Sequence, residues 1–345
     1  MPPSKTRPKS PVTIDNVAAA AGVSIATVSR VLNQTMPVAA ETLERVLAAV
    51  EQLGYVPQTA ARHLARGKTK TLGLLLPDVS NDFFSPLLGS ITESAVDAGY
   101  DLLIAIRPTR RDNGVPRSPL GKQNTDGLLV FDQSIDEGEL HRLHAARFPV
   151  VLLYRSTPQG VSFPCIMIED KSGARQITEH LIVVHERRRI VFLRGPAGNE
   201  DSLLREQGYR EALAAHGIAF DPSLVGDGEF YEAPARATVE RWLAEGLEFD
   251  AIFAGDDGSA SGALVALTRA GRRVPQDVSL VGFDDAPVAR YLNPRLTTVR
   301  APTGLVGREA IRQLIRLITT DEADMVTVLP TELVIRQSCG CPARA

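Results

Sequence analysis

The sequence predicts an α/β protein in which a small all-α unit precedes a larger core of alternating strands and helices. Two observations predict it. Apolar residues recur at helical spacing near the N-terminus, and from Lys70 onward short apolar runs alternate with helical patterns. With 345 residues, 44% of them hydrophobic, the chain is long enough for two or three domains with apolar cores.

The N-terminal pattern predicts two short helices joined by a glycine turn. The first ends near Gly22, and Ser24 is placed to cap the second. Their apolar stripes are Ile14, Val17, Ala18 and Ala21, followed by Ile25, Val28, Val31 and Leu32. Such a pair forms a helix-turn-helix, whose second helix can enter the DNA major groove. On the pattern alone, an ordinary αα-corner inside a core is the alternative and the commoner arrangement.

A third helix is expected over residues 40–53, with Gly54 just beyond its end. Its expected inner stripe is Leu43, Val46, Leu47 and Val50. A short helical segment over residues 58–65, ended by Gly67, follows an extended exit. A helix of that length is marginal in water on its own, so this segment needs other contacts to fold.

The remainder of the chain alternates between the two periodicities. Strands are expected over residues 71–77, 100–106, 127–131, 149–154, 190–193, 251–254 and 278–283, with helices over 85–98, 172–183 and 203–216. This alternation predicts parallel sheets with crossover helices. Residues 107–124 contain three prolines and two glycines, so an irregular loop is expected there, with no function derived for it.

Charge is distributed unevenly along the chain. Residues 1–70 carry nine Lys/Arg against four Asp/Glu, a surplus of five positive charges, whereas the whole chain carries −3 and the remainder therefore −8. A cationic head on an anionic body suits contact with a phosphate backbone at one end. Residues 1–11 are basic and proline-rich and lack the apolar stretch of a signal peptide, so a flexible arm is expected there. No apolar run approaches the length of a membrane span. A cytoplasmic protein is expected.

Motifs for catalysis are largely missing from the sequence. It contains no GxGxxG, HExxH or GxSxG pattern, so no enzyme and no cofactor are expected. The pair Cys339 and Cys341 has metal-ligand spacing, but no other Cys or His in the sequence stands in a ligand pattern with it. No metal site is therefore predicted, and the three cysteines are expected to be reduced thiols.

Polar and aromatic residues follow several predicted strands. Asp256 and Asp284 come directly after two of them, and Phe83 and Phe84 follow the first. Ligands in open α/β sheets lie beyond the carboxyl ends of the strands. Carboxylates together with Arg205 suit a polyhydroxyl ligand, because a carboxylate accepts from adjacent hydroxyls and a guanidinium donates in a fork. For any single aspartate, a role in capping or in a turn is the alternative.

The motifs VTIDNVAAAAGVSIATVSRVLN, RVLAAVEQLGYVP, ARHLARG, SNDFFSPL, TDGLLV, EDKSGARQITEHL, REQGY, VSLVGFDD and TELVIRQS occur in that order. Together they resemble the lactose-repressor (LacI/GalR) family of bacterial transcription regulators, over nearly the whole chain from Val12 to Gly340. The resemblance implies a helix-turn-helix domain at residues 12–57, a hinge helix or linker at 58–68, and an effector-binding core at 69–340. It also implies that the core resembles periplasmic sugar-binding proteins. Its two subdomains would comprise about 69–168 plus 299–328 and about 169–298 plus 329–340.

The resemblance also implies functional residues. For DNA they are Thr13, Ser24, Ile25, Ala26, Thr27, Ser29, Arg30, Asn33, Tyr55, Ala61 and Leu64; for an effector they are Phe83, Phe84, Tyr154, Arg205, Phe230, Asp256 and Asp284. Leu64 would wedge into the minor groove when two hinge helices meet on DNA. Two departures from the family stand out: Gln58 replaces an asparagine, and Tyr154 replaces an aspartate that reaches the sugar, which points to a different or less hydroxylated ligand.

The resemblance thus implies a homodimeric repressor that binds a pseudo-palindromic DNA operator and is controlled by a sugar or sugar derivative between the subdomains. A C-terminus without a leucine heptad favours a dimer over a tetramer. The alternatives are a regulator gated by a partner protein or by no effector and, from another class, a sugar-binding protein or an enzyme. Effector-driven release from DNA and effector-driven binding are both compatible with the sequence.

Overall fold

The computed structural model describes residues 12–33, 36–55, 68–107 and 118–342. The chain divides into two compact units, Met1–Thr69 and Lys70–Ala345, which are treated separately below. The expected basic arm, nearly all of the hinge segment with Ala61 and Leu64, and the stretch 108–117 lie outside the described residues.

The first unit contains three helices: α1 (Ile14–Ala21), α2 (Ile25–Asn33) and α3 (Ala40–Leu53). Gly22 ends α1 with a left-handed φ of 64°, a conformation that costs glycine little. The hydroxyl of Ser24 accepts a 3.2 Å hydrogen bond from the backbone N–H of Thr27 and so begins α2. The predicted helix-turn-helix and its serine cap are confirmed.

A small apolar core holds the three helices together. It consists of Val17, Ala18, Ala21, Val28, Val31, Val46 and Ala49. The stripe predicted for α3 is partly wrong: Leu43 and Leu47 are 40% and 49% exposed. Val46 and Ala49 provide its buried face instead, because α1 and α2 pack against a narrower strip of α3 than the apolar periodicity suggested.

The second unit has two lobes. The first lobe is built on a six-stranded parallel sheet with strand order β11-β5-β4-β3-β1-β2. Its strands are β1 (Thr71–Leu76), β2 (Asp101–Ile106), β3 (Gly127–Phe131), β4 (Val150–Leu153), β5 (Cys165–Ile168) and β11 (Val326–Leu329). Its helices are α4 (Phe84–Asp97), α5 (Glu137–Ala145) and α10 (Thr303–Thr320).

The second lobe is built on a four-stranded parallel sheet with strand order β7-β6-β8-β9. Its strands are β6 (Ile190–Arg194), β7 (Val225–Asp227), β8 (Ala251–Ala254) and β9 (Ser279–Val281). Its helices are α6 (Asp170–His185), α7 (Glu200–Ala215), α8 (Glu232–Ala244) and α9 (Asp257–Arg269), with 3-10 turns at Pro222–Leu224 and Pro287–Arg290. An antiparallel pair, β10 (Thr298–Arg300) with β12 (Glu332–Val334), lies where the chain passes between the lobes.

The central strands of both sheets are buried on both faces, as parallel strands covered by helices must be. Each strand predicted from the apolar runs is present, so the parallel α/β prediction is confirmed. The short strands β5, β7, β10, β11 and β12 were not predicted. Strand β11, at the sheet edge, has no fully buried residue and alternates between exposed and half-buried positions. Residues 118–124 form neither helix nor strand, as expected for that loop. Among the described helices, none has both the length and the apolar character needed to cross a bilayer.

Candidate functional site

The start of α2 carries exposed side chains, one of them a large apolar residue. Ile25 is 47% exposed and is followed by the exposed Ala26, and Arg30 is exposed one turn further along. None of the three belongs to the buried core of this unit. These three side chains are therefore free of the core and placed for contact with a partner.

Other residues predicted to bind DNA serve the fold as well. The hydroxyl of Thr13 and its backbone N–H both donate to Oδ1 of Asn16, at 3.0 and 2.9 Å, at the start of α1. Thr27 and Ser24 bond to each other through their hydroxyls, 2.9 Å apart. Tyr55 is half-buried against the three-helix core. Ser29 is half-buried, and Asn33 ends α2 with its side chain outside the described atoms.

Arg45 of α3 donates hydrogen bonds to the turn between α1 and α2. Its Nε and Nη2 donate to the carbonyl of Ala21 at 3.2 and 2.5 Å, and Nη2 also reaches the carbonyl of Gly22 at 3.1 Å. These are carbonyls that the end of α1 leaves without helical partners. The sequence analysis counted Arg45 only as part of the positive charge of the head, whereas its side chain connects α3 to the turn between α1 and α2.

A cavity of about 720 Å³ lies at the carboxyl ends of the strands of both lobes. Its volume falls within the roughly 300–1,000 Å³ common for small-molecule sites. The first lobe contributes more of the cavity's aromatic rings, and the second lobe contributes more of its charged side chains. The lining residues are Pro77, Asp78, Asn81, Phe83, Phe84, Phe131, Asp132, Gln133, Pro196, Ala197, Asn199, Asp201, Arg205, Glu229, Phe230, Tyr231, Asp256 and Asp284.

Arg205 is the central cation of this cavity. Its Nε donates to Oδ1 of Asp170 at 2.7 Å, its Nη1 donates to the carbonyl of Gly255 at 2.7 Å, and Nη2 lies 3.2 Å from Oδ1 of Asp284. Its guanidinium carbon also lies 3.8 Å from the centroid of the Phe283 ring. Burial lowers the pKa of Arg205, but the surrounding carboxylates outweigh it and the net pKa is raised, so the group stays charged.

Asp284 follows β9 in a strained backbone conformation, with φ at 104°. Burial raises the pKa of its carboxyl to about 7, against the lowering effect of Arg205 and with a further rise from Asp256. Its Oδ1 is a buried oxygen without a hydrogen-bond partner of good geometry. A strained, buried carboxylate that faces a cavity is suited to accept a hydrogen bond from a ligand hydroxyl.

Asp256 combines the two roles that the sequence left open. Its carboxylate caps α9 by accepting from the backbone N–H groups of Gly258 and Ser259, at 3.0 and 2.9 Å. It also lines the cavity, where Nδ2 of Asn81 approaches one of its oxygens at 3.5 Å. Burial raises the pKa of Asp256, and the capping hydrogen bonds offset only part of that rise.

Aromatic rings form the apolar side of the cavity. Phe83, Phe84 and Phe131 contact one another edge to face in the first lobe. Phe230 faces them from the second lobe with a left-handed φ of 61°. Gly195 makes room for that ring, because a Cβ there would lie 2.2 Å from Cζ of Phe230. Such faces suit the apolar side of a sugar ring.

Tyr154 is not among the residues that line the cavity. It is fully buried behind them, with its ring centroid 5.4 Å from that of Phe83 and 5.0 Å from that of Phe131. Its hydroxyl has no hydrogen-bond partner within the described residues. Burial and the nearby charges of Asp201 and Asp284 raise its pKa well above the usual value. The structure therefore places Tyr154 as support for the aromatic side, one layer further from a ligand than the sequence predicted.

Several lining residues were missed by sequence reasoning, among them Asp132, Asn199 and Asp201. Nδ2 of Asn199 donates to Oδ2 of Asp132 at 3.0 Å across the two lobes. Burial raises the pKa of Asp132 to about 6, and burial together with the charge of Asp170 raises that of Asp201 well above its usual value. Asp132 directly follows β3, so the rule that ligands lie beyond strand ends, applied to every strand, would have found it.

Two histidines that the sequence analysis did not connect with the C-terminal cysteines lie beside them in the structure. His180 and His185, on the last turns of α6, lie beside Cys339 and Cys341. The two histidines lie far from the two cysteines in the chain, so no ligand-spacing pattern in the sequence connects them.

Comparison with known proteins decides the family. The model for bacterial regulatory proteins of the lacI family matches residues 13–58, and the model for a periplasmic binding protein-like domain matches residues 178–339. The chain is 35% identical over 335 residues to the HTH-type transcriptional regulator CelR of Thermobifida fusca. The aligned residues make up 94% of this chain and 98% of that protein. The chain belongs to the lacI family of bacterial regulatory proteins.

Further members of the lacI family agree with this. The HTH-type transcriptional regulator GalR of Escherichia coli strain K12 is 35% identical over 340 residues, covering 96% of both chains. Among solved structures, the complex of the regulator CelR with cellobiose is 33% identical with a TM-score of 0.71, covering 95% of this chain and 99% of that one. The lac repressor dimer bound to operator and the anti-inducer ONPF is 28% identical with a TM-score of 0.79, at the same coverage. The protein is thus a DNA-binding transcription regulator, like the relatives it matches.

Proposed function

We propose that this lacI-family regulator is a homodimeric repressor controlled by a carbohydrate held between the two lobes of its core. The observation that carries the proposal is the pair Arg205 and Asp284. Both are buried, they lie 3.2 Å apart, and both line a cavity that also has aromatic rings in its lining. We assign residues 12–57 to the DNA-binding head, 58–68 to the hinge and 69–340 to the effector core. A regulator that binds operator DNA works where the chromosome is, and we place this one in the cytoplasm on that ground.

Base recognition is assigned to the exposed start of α2. Arg30 can donate in a fork to O6 and N7 of guanine, and Ile25 and Ala26 can contact thymine methyl groups. Phosphate contacts are assigned to the remaining head residues named from the sequence, since hydroxyls and helix starts suit phosphate oxygens. Leu64, outside the described residues, is assigned the minor-groove wedge, and Leu64→Ala is expected to reduce operator bending as well as affinity. An unchanged bend would contradict that role.

Effector recognition is assigned to both sides of the cavity. The carboxylates of Asp284 and Asp256 would accept from sugar hydroxyls, and Arg205 would donate with the N–H groups not used in the fold. Phe83, Phe84 and Phe230 would cover the apolar face of a sugar ring. CelR, a relative that covers nearly the whole chain, has been solved with cellobiose, so glucosides are the first ligands to test.

Hydrogen bonds between the two lobes are the contacts through which a ligand would control operator binding. Nδ2 of Asn81 donates to the carbonyl of Phe230 at 2.9 Å, and the hydroxyl of Tyr231 donates to Asp78. Ser156 donates to Glu200 through its backbone N–H at 2.7 Å. A ligand that binds between the lobes changes the balance between arrangements that keep these bonds and arrangements that break them. The shift would pass to the hinge helices and weaken operator binding.

Dimerisation is assigned to the β2 edge of the first lobe. This edge strand exposes Leu103, Ile104 and Ile106, and Val96 at the end of α4 is exposed as well. A long apolar edge strand invites pairing with another chain. The opposite edge is less suited, because the ion pairs of Asp324 with Arg312 and Arg316 stand at the start of β11.

The deciding experiment combines operator selection with ligand screening. An operator is selected from random duplex DNA, and fluorescence anisotropy then measures binding at fixed salt with each of a panel of mono- and disaccharides. We expect one class of sugar to release the operator from the wild type. Asp284→Asn should keep operator binding and lose the response, while the surface control Asp277→Asn should keep both. A sugar that strengthens binding would make the protein a corepressor, and a panel without any ligand would favour gating by a partner protein.

A further inference from the structure

Four potential metal ligands converge at the end of α6 and the C-terminal tail. The Nε2 atoms of His180 and His185 lie 3.3 Å apart. The Sγ of Cys341 lies 3.7 Å from Nε2 of His180 and 3.4 Å from Nε2 of His185. With the Sγ of Cys339, all four ligand atoms lie within 4.8 Å of one another. No part of the effector cavity or the DNA-binding head is involved.

The distances among His180, His185 and Cys341 match the edges of a zinc tetrahedron. Zinc binds imidazole nitrogen at about 2.0–2.1 Å and thiolate sulfur at about 2.3 Å, so tetrahedral angles give N–N edges of about 3.3 Å and N–S edges of about 3.5 Å. The N–N and the two N–S distances above agree with these values to about 0.2 Å. We propose that His180, His185, Cys339 and Cys341 form a Cys2His2 site for a structural zinc ion.

The backbone between the two cysteines is arranged for close approach to the histidines. Gly340 has a φ of 116°, and a Cβ at this position would lie 3.0 Å from Nδ1 of His185. Any other residue would therefore meet both backbone strain and the imidazole ring. Glycine brings both sulfur atoms to the end of α6.

Neighbouring groups hold the ligands in place. The hydroxyl of Thr297 donates to Sγ of Cys339 at 3.1 Å, a bond that stabilises a thiolate, and Ser279 donates to the carbonyl of Cys339 at 2.7 Å. Outer contacts of this kind orient metal ligands.

The choice of zinc follows from the donor atoms. Thiolate with imidazole favours zinc over magnesium or calcium, which prefer oxygen. Four protein ligands, one of them buried and three half-buried, describe a closed structural site. The ion would tie the tail to α6, in addition to the hydrogen bond from the N–H of Leu280 to the carbonyl of Ser338 at 2.8 Å. We expect it to stabilise the second lobe.

The test uses the full-length protein purified with a reductant, without chelator and without added metal. Elemental analysis should find about one zinc per chain in the wild type. Cys341→Ser and His185→Gln should each lose most of it, while the matched controls Cys165→Ser and His216→Gln should keep it. Removal of zinc from the wild type by a strong chelator should lower the midpoint of thermal unfolding by at least about 5 °C, and added zinc should restore it.

Cobalt provides a readout independent of folding differences between variants. The metal-free wild type titrated with Co²⁺ should show thiolate charge-transfer bands and the intense visible bands of tetrahedral cobalt, saturating at one ion per chain. A wild type that binds neither zinc nor cobalt stoichiometrically overturns the proposal. So does a Cys339–Cys341 disulfide found by intact mass under reducing purification, or equal zinc loss in the control variants.

Discussion

The Nε of Arg205 donates a 2.7 Å hydrogen bond to Oδ1 of Asp170, and both side chains are buried. The same guanidinium lies beside Asp284 and against the ring of Phe283. Arg205 is thus held in position before any ligand arrives, and little side-chain entropy remains to be lost on binding. Its role in the fold and its proposed role in effector binding are inseparable.

Arg205→Ala should therefore cost stability as well as effector response. Removing one partner of a buried ion pair leaves carboxylates without compensation and costs about 3–5 kcal/mol. Urea unfolding of the core followed by circular dichroism measures the change. Arg241→Ala is the control, since that side chain is exposed and pairs only loosely with Glu245 at 3.9 Å. A loss below about 1 kcal/mol for Arg205→Ala would contradict the structural role.

The raised pKa of Asp284 predicts a pH dependence. Burial raises that pKa from 3.8 to about 7, so between these values the folded state holds a proton that the unfolded state releases. The stability contributed by this group is present at low pH and is lost as the pH rises through about 7. The Asp284→Asn variant has no ionisable side chain at this position. Unfolding free energies between about pH 5 and pH 8 should therefore fall more steeply for the wild type than for the variant; parallel curves would refute this.

Arg30→Ala tests base recognition. Loss of a forked contact to guanine should cost about 1–3 kcal/mol at one base pair in each half-site and relax specificity there. Anisotropy with the selected operator, with single-base variants of it and with random duplex DNA separates the effects. Equal weakening on all three kinds of DNA would assign Arg30 to phosphate.

Arg45→Met is expected to behave differently from Arg30→Ala. The variant leaves the carbonyls of Ala21 and Gly22 without the side-chain donor and should lower the stability of the head by about 1–3 kcal/mol. Binding to specific and random DNA should weaken together, because the angle between the helices is lost. Thermal unfolding and anisotropy give the two readouts. Retained head stability with altered base preference would place Arg45 at the DNA instead.

Ile104→Asp should disrupt the dimer. A charge on the exposed β2 edge would be buried without a partner in the assembly, whereas Val328→Asp on the opposite edge of the same sheet should leave the dimer intact. Light scattering of both variants at equal concentration checks the result, and operator affinity should fall only for Ile104→Asp. A dimeric Ile104→Asp protein would move the interface elsewhere.

Local sequence determined the elements and much of the site. Gly22, Ser24 and the apolar periodicity predicted the helix-turn-helix, because caps and turns depend on residues a few positions apart. Continuous apolar runs predicted the central strands, since strands covered on both faces need them. The residues after those strands pointed to Asp256 and Asp284, and the REQGY motif pointed to Arg205; the structure brings all three to one cavity.

Tertiary structure decided what depends on partners distant in the chain. Leu43 and Leu47 fit a helical stripe as well as Val46 does, and only the packing of α1 and α2 determines which of them is buried. Tyr154 follows β4 just as Asp132 follows β3, yet it lies behind the cavity and Asp132 lines it. The meeting of His180 and His185 with Cys341 depends on the path of the C-terminal tail beside β9. The spacing of apolar residues in the sequence shows which side of a helix or strand is suited to burial. Which residues pack against that side depends on the tertiary structure.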